Sequence, residues 1–172
     1  TLSLCIKKDL KFTFHLLGTK GDGFRENYWL SKLKKNKKLI KYTKIYGYVD
    51  EKIKENILIN ADLFLILRPA NSETRHLFPS RVPEFLSTGN PTIITNTPSL
   101  NLLFKEGHGV KFIKETNSPD DIANSIINLA NNPILRFEVG EKGRLYAQNN
   151  FTHEILGERL GFFLKKLNNN LK

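Results

Sequence analysis

Three residues between positions 80 and 84 have the side-chain types and the spacing to hold phosphate and ribose groups. Ser80 stands where a polar loop enters a predicted helix at 80–87. As its N-cap, Ser80 would leave free N–H groups at the positive end of the helix dipole. Arg81 would add a permanent cation for phosphate, and Glu84, one turn further on, would accept hydrogen bonds from ribose hydroxyls. The alternative is structural: Ser80 only caps, Arg81 is solvated and Glu84 pairs with a nearby lysine.

The segment that carries these residues predicts a βαβ unit. An apolar strand at 62–67 opens into a polar loop, the helix follows, and Gly89-Asn90-Pro91 turns the chain into a second strand at 91–95. The loops of parallel strands open at the carboxyl edge of their sheet, where open α/β sheets bind ligands. We therefore expect the site at that edge.

The rest of the chain continues the alternation of strands and helices. Short apolar runs predict further strands at 11–17, 42–46 and 110–113. Helical periodicity predicts helices at 24–37, 50–60, 99–105, 119–130, 133–149 and 152–168. Ser118 is the predicted N-cap of the helix at 119–130, with Asp120 and Asp121 in its first turn. This order predicts one α/β domain over 1–172, with a parallel sheet covered by helices on both faces.

Other groups that often carry chemistry do not assemble here. Gly18-Thr19-Lys20-Gly21-Asp22-Gly23 fits neither a dinucleotide fingerprint nor a Walker loop, so a tight turn is favoured, although its backbone could still line a cleft. No histidine pair has the spacing of metal ligands, so we expect no metal. No serine stands in a G-x-S-x-G motif and Cys5 has no evident partner, which leaves nucleophilic hydrolysis without support.

The composition limits the classes of protein to which this chain can belong. With 172 residues, 40% hydrophobic and 26% charged, the chain suits one globular domain. Its apolar runs fall short of the roughly 18 residues that cross a bilayer. The lone Cys5 excludes an internal disulfide and suits a reducing compartment such as the cytoplasm. The chain has no methionine, so Thr1 is not a translation start; we expect a processed product or, as the favoured interpretation, a piece of a longer protein.

The net charge of +10 is concentrated in one stretch. Seven lysines follow one another closely at Lys32, Lys34, Lys35, Lys37, Lys38, Lys41 and Lys44. The plainest interpretation is a solvated helix face, and the second is peripheral contact with an anionic membrane, at its inner surface if the protein is cytoplasmic. Nucleic acid is the third, but no RNA-binding aromatic signature or zinc-finger spacing supports it, so we expect no nucleic-acid partner.

A family resemblance joins these observations. The stretch FPSRVPEFLSTGNP at 78–91, preceded by Asp62-Leu63-Phe64-Leu65, resembles the donor-binding motif of retaining GT-B glycosyltransferases (family 4, glycosyl transferases group 1). Further landmarks follow in the family's order: Phe14-His15-Leu16-Leu17-Gly18, Gly21-Asp22-Gly23, Ile45-Tyr46-Gly47-Tyr48-Val49 and Phe151-Thr152. The resemblance covers nearly the whole chain and matches the C-terminal, Rossmann-like half of that fold.

The resemblance implies a role for each residue of a nucleotide-sugar site. Glu84 would hold the ribose, and Tyr48 and Val49 would contact the base. The diphosphate would be held by four consecutive residues, Phe78, Pro79, Ser80 and Arg81. Arg81 would also stabilise the departing diphosphate, which makes it the candidate catalytic residue. No metal or other cofactor is implied, because the nucleotide sugar is itself the substrate.

The implied function is transfer of a sugar, with retention, from a nucleoside-diphosphate sugar to a glycan or lipid-linked acceptor. An N-terminal domain would bind the acceptor, and the helix at 152–168 would pack on that domain, so the fragment is expected to be inactive alone. His76 departs from the family by standing where a Glu-x7-Glu motif ending at Glu84 has its first glutamate. Two alternatives stay open: a nucleotide-sugar epimerase of the same fold, and a non-catalytic module that docks through the last helix.

Overall fold

The computed structural model describes residues 1–18, 24–68, 74, 76–104, 108–114 and 118–170. They form two compact units. The first unit combines Thr1–Ala61 with Thr116–Asn131, and the second combines Asp62–Glu115 with Asn132–Lys172. The prediction of a single domain over 1–172 stays a prediction.

Helices and strands alternate along most of the described chain. In chain order they are α1 (Leu2–Lys7), β1 (Phe14–Leu16), α2 (Phe24–Lys35), a 3₁₀ helix (Leu39–Tyr42), β2 (Thr43–Ile45), α3 (Glu51–Ile59), β3 (Phe64–Ile66), α4 (Val82–Ser87), β4 (Thr92–Thr95), α5 (Pro98–Asn101), β5 (Val110–Ile113), α6 (Pro119–Asn131), α7 (Pro133–Asn150) and α8 (His153–Asn170). All five predicted strands are present, and most are shorter than predicted because pairing stops before the apolar run does. Among the described helices, none is long and apolar enough to cross a membrane.

In the first unit, β1 and β2 pair in parallel, with Phe14 opposite Thr43. Helix α6 packs against α1, a helix that the sequence pattern does not predict, and α1 buries Cys5. Burial raises the pKa of this thiol above its ordinary value. The Ser118 cap is confirmed as a reciprocal pair: the Asp121 N–H donates to Ser118 Oγ at 3.2 Å, and the Ser118 N–H donates to Asp121 Oδ2 at 2.9 Å.

In the second unit, β3, β4 and β5 form a parallel sheet in that order, with Ile66 opposite Ile94 and Ile94 opposite Phe112. Strand β4 is central and buried throughout. The core of the unit lies beside it and consists of Val82, Leu86, Ile94, Leu100, Phe104, Val110 and Ala147. Parallel sheets flanked by helices make the fold Rossmann-like, as the sequence predicts.

Helix α7 approaches this sheet at backbone distance. Gly140 lies so close to the turn after α4 that an added Cβ would stop 1.9 Å from the Gly89 carbonyl oxygen. One turn later, a Cβ on Gly143 would stop 2.6 Å from Gly109 Cα. Gly89 has a φ of +78°, which suits the residue after a helix end. Glycine at these positions therefore sets the spacing between α7 and the loops that enter β4 and β5.

Candidate functional site

A small cavity opens at the carboxyl edge of β3 and β4. Its lining comes from the ends of the two strands and from the segments that follow them: Ile66, Arg68, Thr74, Leu77, Pro79, Ile94, Thr95, Thr97 and Leu100. The cavity volume is about 10 Å³, room for roughly one water molecule. The 62–95 segment thus has the predicted βαβ order, and the cavity lies at the edge where the sequence places the site.

Arg81, the N-cap of helix α4, and Glu84 in its first turn lie beside the buried side of this helix. Val82 and Leu86, four residues apart, are fully buried, and the Phe85 ring stacks on Phe64 with centroids 4.2 Å apart. Arg81 is exposed at the start of the helix, and Glu84, three residues on, is half-buried. Residues three apart on a helix share a face. Packing of the apolar side therefore holds a cation and a carboxylate on the same outer face.

The prediction that Ser80 caps this helix is wrong. The helix begins at Val82, its N-cap is Arg81, and no side chain caps it. A tight turn precedes it, in which the Val82 N–H donates to the Pro79 carbonyl at 2.9 Å. That bond brings Ser80 into the turn ahead of the helix and leaves its side chain exposed. A direct hydrogen bond from its hydroxyl remains available to a ligand.

Phe78 and Pro79 face the protein interior. The Phe78 ring packs against Phe104 and Phe151, with centroids 6.4 and 5.9 Å away. Pro79 is buried and lines the cavity, and its nitrogen carries no hydrogen. Their direct contribution to a bound diphosphate would therefore come from backbone atoms and from the shape of the loop, since neither side chain offers a polar group.

Tyr48 and Val49 belong to the first unit, where they follow β2. Tyr48 is 70% exposed and Val49 is half-buried. Their loop is tied to the loop after β1, because the Gly18 N–H donates to the Gly47 carbonyl at 3.1 Å. Gly18 has a φ of +78°, as the tight-turn interpretation expects, and the rest of the glycine segment, 19–23, lies outside the described residues. The carboxyl edge of β1 and β2 thus exposes an aromatic ring.

A histidine and a tyrosine meet beside this loop. His15 Nδ1 lies 3.1 Å from the Tyr46 hydroxyl, and the two rings stack with centroids 5.6 Å apart. Lys44 stands opposite His15 across the strand pair. Partial desolvation first, and the Lys44 charge second, lower the pKa of His15 from its ordinary 6.5. The lowered pKa favours the neutral form of this imidazole at pH 7.

His76 lies in an exposed turn after Thr74. The Leu77 N–H donates to the Thr74 carbonyl at 3.3 Å, which closes this turn beside the cavity. In the part of the chain that the structure describes, no three side chains of His, Cys, Asp or Glu come together in the manner of a metal site.

The structure adds site residues that the sequence pattern does not single out. Thr95 ends β4, and its hydroxyl accepts the backbone N–H of Arg68 at 3.0 Å across the strand ends. Thr97 is 5% exposed, and its hydroxyl lies 3.1 Å from that of Ser99. Thr95 is the last residue of a predicted strand and Thr97 lies two residues beyond it, so the rule that ligands bind at strand ends could have identified both.

Parallel strands flanked by helices, with a cavity at the carboxyl ends of β3 and β4, define a Rossmann-like fold. A family model described as glycosyl transferases group 1 matches residues 3–146. The chain therefore belongs to the glycosyl transferases group 1 family. No curated protein sequence matches it at a significant level.

Solved structures share this fold. Sucrose-phosphate synthase from Thermosynechococcus elongatus matches with a TM-score of 0.78 at 16% identity, over 96% of this chain and 41% of that one. A glycosyltransferase from Rickettsia africae matches with a TM-score of 0.76 at 18% identity, over 96% and 42%. Anabaena HepE in complex with UDP-glucose matches with a TM-score of 0.73 at 15% identity, over 90% and 41%. The chain thus spans about two fifths of the length of these structures.

Proposed function

We propose that this chain is the donor-binding domain of a retaining, family 4 glycosyltransferase of the hexosyltransferase type. The full enzyme would transfer a sugar from a nucleoside-diphosphate sugar to a glycan or lipid-linked acceptor. An N-terminal domain would bind the acceptor and pack against α8, so this chain by itself would bind nucleotide without turnover. Envelope polysaccharide synthesis in the cytoplasm is the setting we propose.

The observation that carries the proposal is the outer face of α4. Arg81 and Glu84 are held three residues apart by a helix whose other side is fully buried at Val82 and Leu86. The cavity edge formed by Pro79 belongs to the turn that starts this helix. A cation for phosphate and a carboxylate for ribose therefore stand in rigid relation to each other. Because the chain belongs to the glycosyl transferases group 1 family, we propose a nucleoside-diphosphate sugar as the ligand of Arg81 and Glu84.

The proposed catalysis rests on position and charge. Arg81 would bond the diphosphate and stabilise the negative charge that grows as the sugar departs, and no metal would be needed. Ser80 would add a neutral hydrogen bond, and Glu84 would hold the ribose hydroxyls. Tyr48 and Val49 would contact the base. UDP is the first nucleotide to test, because Anabaena HepE was solved with UDP and with UDP-glucose.

Calorimetry with UDP and with uridine tests these assignments. Each charge-assisted contact is worth about 2 kcal/mol, so Arg81→Ala and Glu84→Ala should each weaken UDP binding roughly thirtyfold. Arg81→Ala should leave uridine binding unchanged, because uridine has no phosphate. Glu84→Ala should weaken both ligands equally, because both carry the ribose.

Two variants on α7 serve as controls. Glu138→Ala and Lys142→Ala make the same changes in charge at exposed positions outside the site, and they should bind UDP as the original chain does. If UDP binding survives both Arg81→Ala and Glu84→Ala, the site assignment is wrong.

His76 favours a second candidate function, a non-catalytic module of the same fold. The family's first glutamate is replaced here by a histidine in an exposed turn beside the cavity-lining Leu77. A full-length protein that binds UDP but turns over no donor would support this candidate. If a His76→Glu variant of the full-length protein gains turnover, then His76 is the reason why the original protein turns over no donor. Release of an isomerised sugar from donor alone would instead indicate an epimerase.

A further inference from the structure

The seven lysines between positions 32 and 44 form one surface of the first unit. We call Lys32, Lys34, Lys35, Lys37, Lys38, Lys41 and Lys44 the lysine surface, and all seven are exposed. They lie at the end of α2, in the connection to the 3₁₀ helix, on that helix and on β2. Between Glu26 and Asp50 the sequence has no acidic residue. This stretch therefore carries seven positive charges with no negative charge of its own.

The lysine surface is an ordered corner and not a tail. Asn36 joins α2 to the 3₁₀ helix: its Oδ1 accepts the Leu39 N–H at 3.0 Å, and its amide donates to Ser3 Oγ at 3.1 Å. Leu33 and Leu39 are half-buried, and the Tyr42 ring packs 5.2 Å from Phe12. The apolar residues between the lysines are therefore partly buried, while every lysine side chain is exposed to solvent.

Several basic side chains outside the lysine surface have acidic partners. Lys54 lies 2.6 Å from Glu51, Lys8 lies 3.8 Å from Asp120, and in the second unit Arg144 lies 2.6 Å from Glu141. From Lys34 to Lys44, by contrast, no lysine of the surface forms an ion pair with an acid whose side chain the structure describes. Like charges held close together repel and oppose folding. Such a cluster is favourable when an external anion neutralises it.

The chemistry of the lysine surface fits a sheet of anionic lipid headgroups. Lysine attracts phosphate as a point charge, whereas specific bidentate recognition uses arginine, and Arg25 is the one arginine between residues 1 and 61. Tyr28 lies on α2, like Lys32, and is 50% exposed; the Lys32 amine lies 4.5 Å from the centre of the Tyr28 ring. That amine covers one face of the ring, so only the other face could stack on a nucleobase. Tyrosine beside lysine is also typical of membrane–water interfaces.

We propose that the lysine surface binds the headgroups of an anionic membrane and holds the protein at that membrane by charge. This interaction uses none of the residues assigned to the nucleotide site and does not depend on the proposed transferase activity. Each lysine near an anionic bilayer strengthens binding roughly fivefold, so several together suffice for reversible attachment.

Sedimentation with lipid vesicles tests the proposal. The 172-residue chain should bind vesicles of equal parts phosphatidylcholine and phosphatidylglycerol, and should not bind phosphatidylcholine alone. Raising salt from ~0.1 M to ~1 M shortens the screening length from about 10 Å to about 3 Å, which should release the protein. Changing Lys34, Lys35, Lys37 and Lys38 to Gln should weaken binding by roughly several hundredfold.

A matched control distinguishes the effect of the lysine surface on vesicle binding from the effect of the total charge of the chain. Changing Lys11, Lys52, Lys114 and Lys142 to Gln removes the same charge from exposed positions elsewhere, and this variant should keep vesicle binding. Equal loss in both variants, binding to neutral vesicles, or no vesicle binding would overturn the proposal. So would a single-stranded RNA that binds the original chain more tightly than the anionic vesicles do. The salt and lipid dependence of the original chain decides the question even if a variant does not fold.

Discussion

Replacing Gly140 by alanine should destabilise the second unit, because helix α7 touches backbone at this residue. The new Cβ would lie 1.9 Å from the Gly89 carbonyl oxygen and 3.2 Å from Asn90 Cα. Ordinary contact begins near 3.4 Å, so the turn or the helix must move by about 1.5 Å. Backbone cannot rotate out of the way as a flexible side chain can.

The magnitude follows from two opposing terms. Alanine is about 1 kcal/mol more favourable than glycine inside a helix. Overpacking costs about 1–3 kcal/mol, and contact with backbone puts Gly140→Ala at the upper end of that range. The free energy of unfolding should therefore fall by about 2 kcal/mol. For a chain of this length that corresponds to a Tm lower by about 4–8 °C.

Thermal and urea unfolding measure the effect, and Gly157→Ala is its control. Gly157 is also helical and exposed, and no described heavy atom lies within 4 Å of its Cβ position. The same substitution should raise stability there by about 1 kcal/mol. If Gly140→Ala is as stable as Gly157→Ala, helix α7 does not approach the backbone of the Gly89 turn as closely as described, and the reasoning is refuted. Because that turn follows the helix of Arg81 and Glu84, Gly140→Ala should also weaken UDP binding.

Two further predictions concern single polar groups. The buried Thr92 hydroxyl forms no hydrogen bond with any described group, so Thr92→Val should raise the free energy of unfolding by about 1 kcal/mol. Thr95→Val should instead lower the free energy of unfolding by about 1 kcal/mol, because the Arg68 N–H loses its acceptor. Hydrogen bonds from the Ser118 backbone and then its side chain lower the pKa of Asp121 from its ordinary 3.8, so they stabilise the fold above that pH. Urea unfolding at several pH values should show Ser118→Ala less stable near neutrality, with the difference shrinking as pH falls through the lowered pKa. A remainder should persist at low pH, because the bond from the Asp121 N–H to Ser118 Oγ does not depend on the carboxylate charge.

The local pattern of the sequence predicted the order of the elements and the edge that carries the cavity. Apolar runs and turn residues reveal the strands and the βαβ unit of 62–95, because these features depend on neighbours along the chain. Ser118 and Asp121 reveal their cap for the same reason, since both bonds span three residues. The start of α4 was mispredicted: a bond from the Val82 N–H to Pro79 competes with a Ser80 cap, and the sequence pattern does not rank the two.

The sequence by itself determined the α/β class, the charge of the lysine stretch and the candidate pair Arg81 and Glu84, because residue type, period and spacing are all local properties. Only the tertiary structure decided that Thr95 accepts the Arg68 N–H from 27 residues away, and that Gly140 meets the turn at Gly89. Contacts of that kind form between segments far apart in the chain. They depend on how the whole core packs, and no short stretch of sequence contains that information.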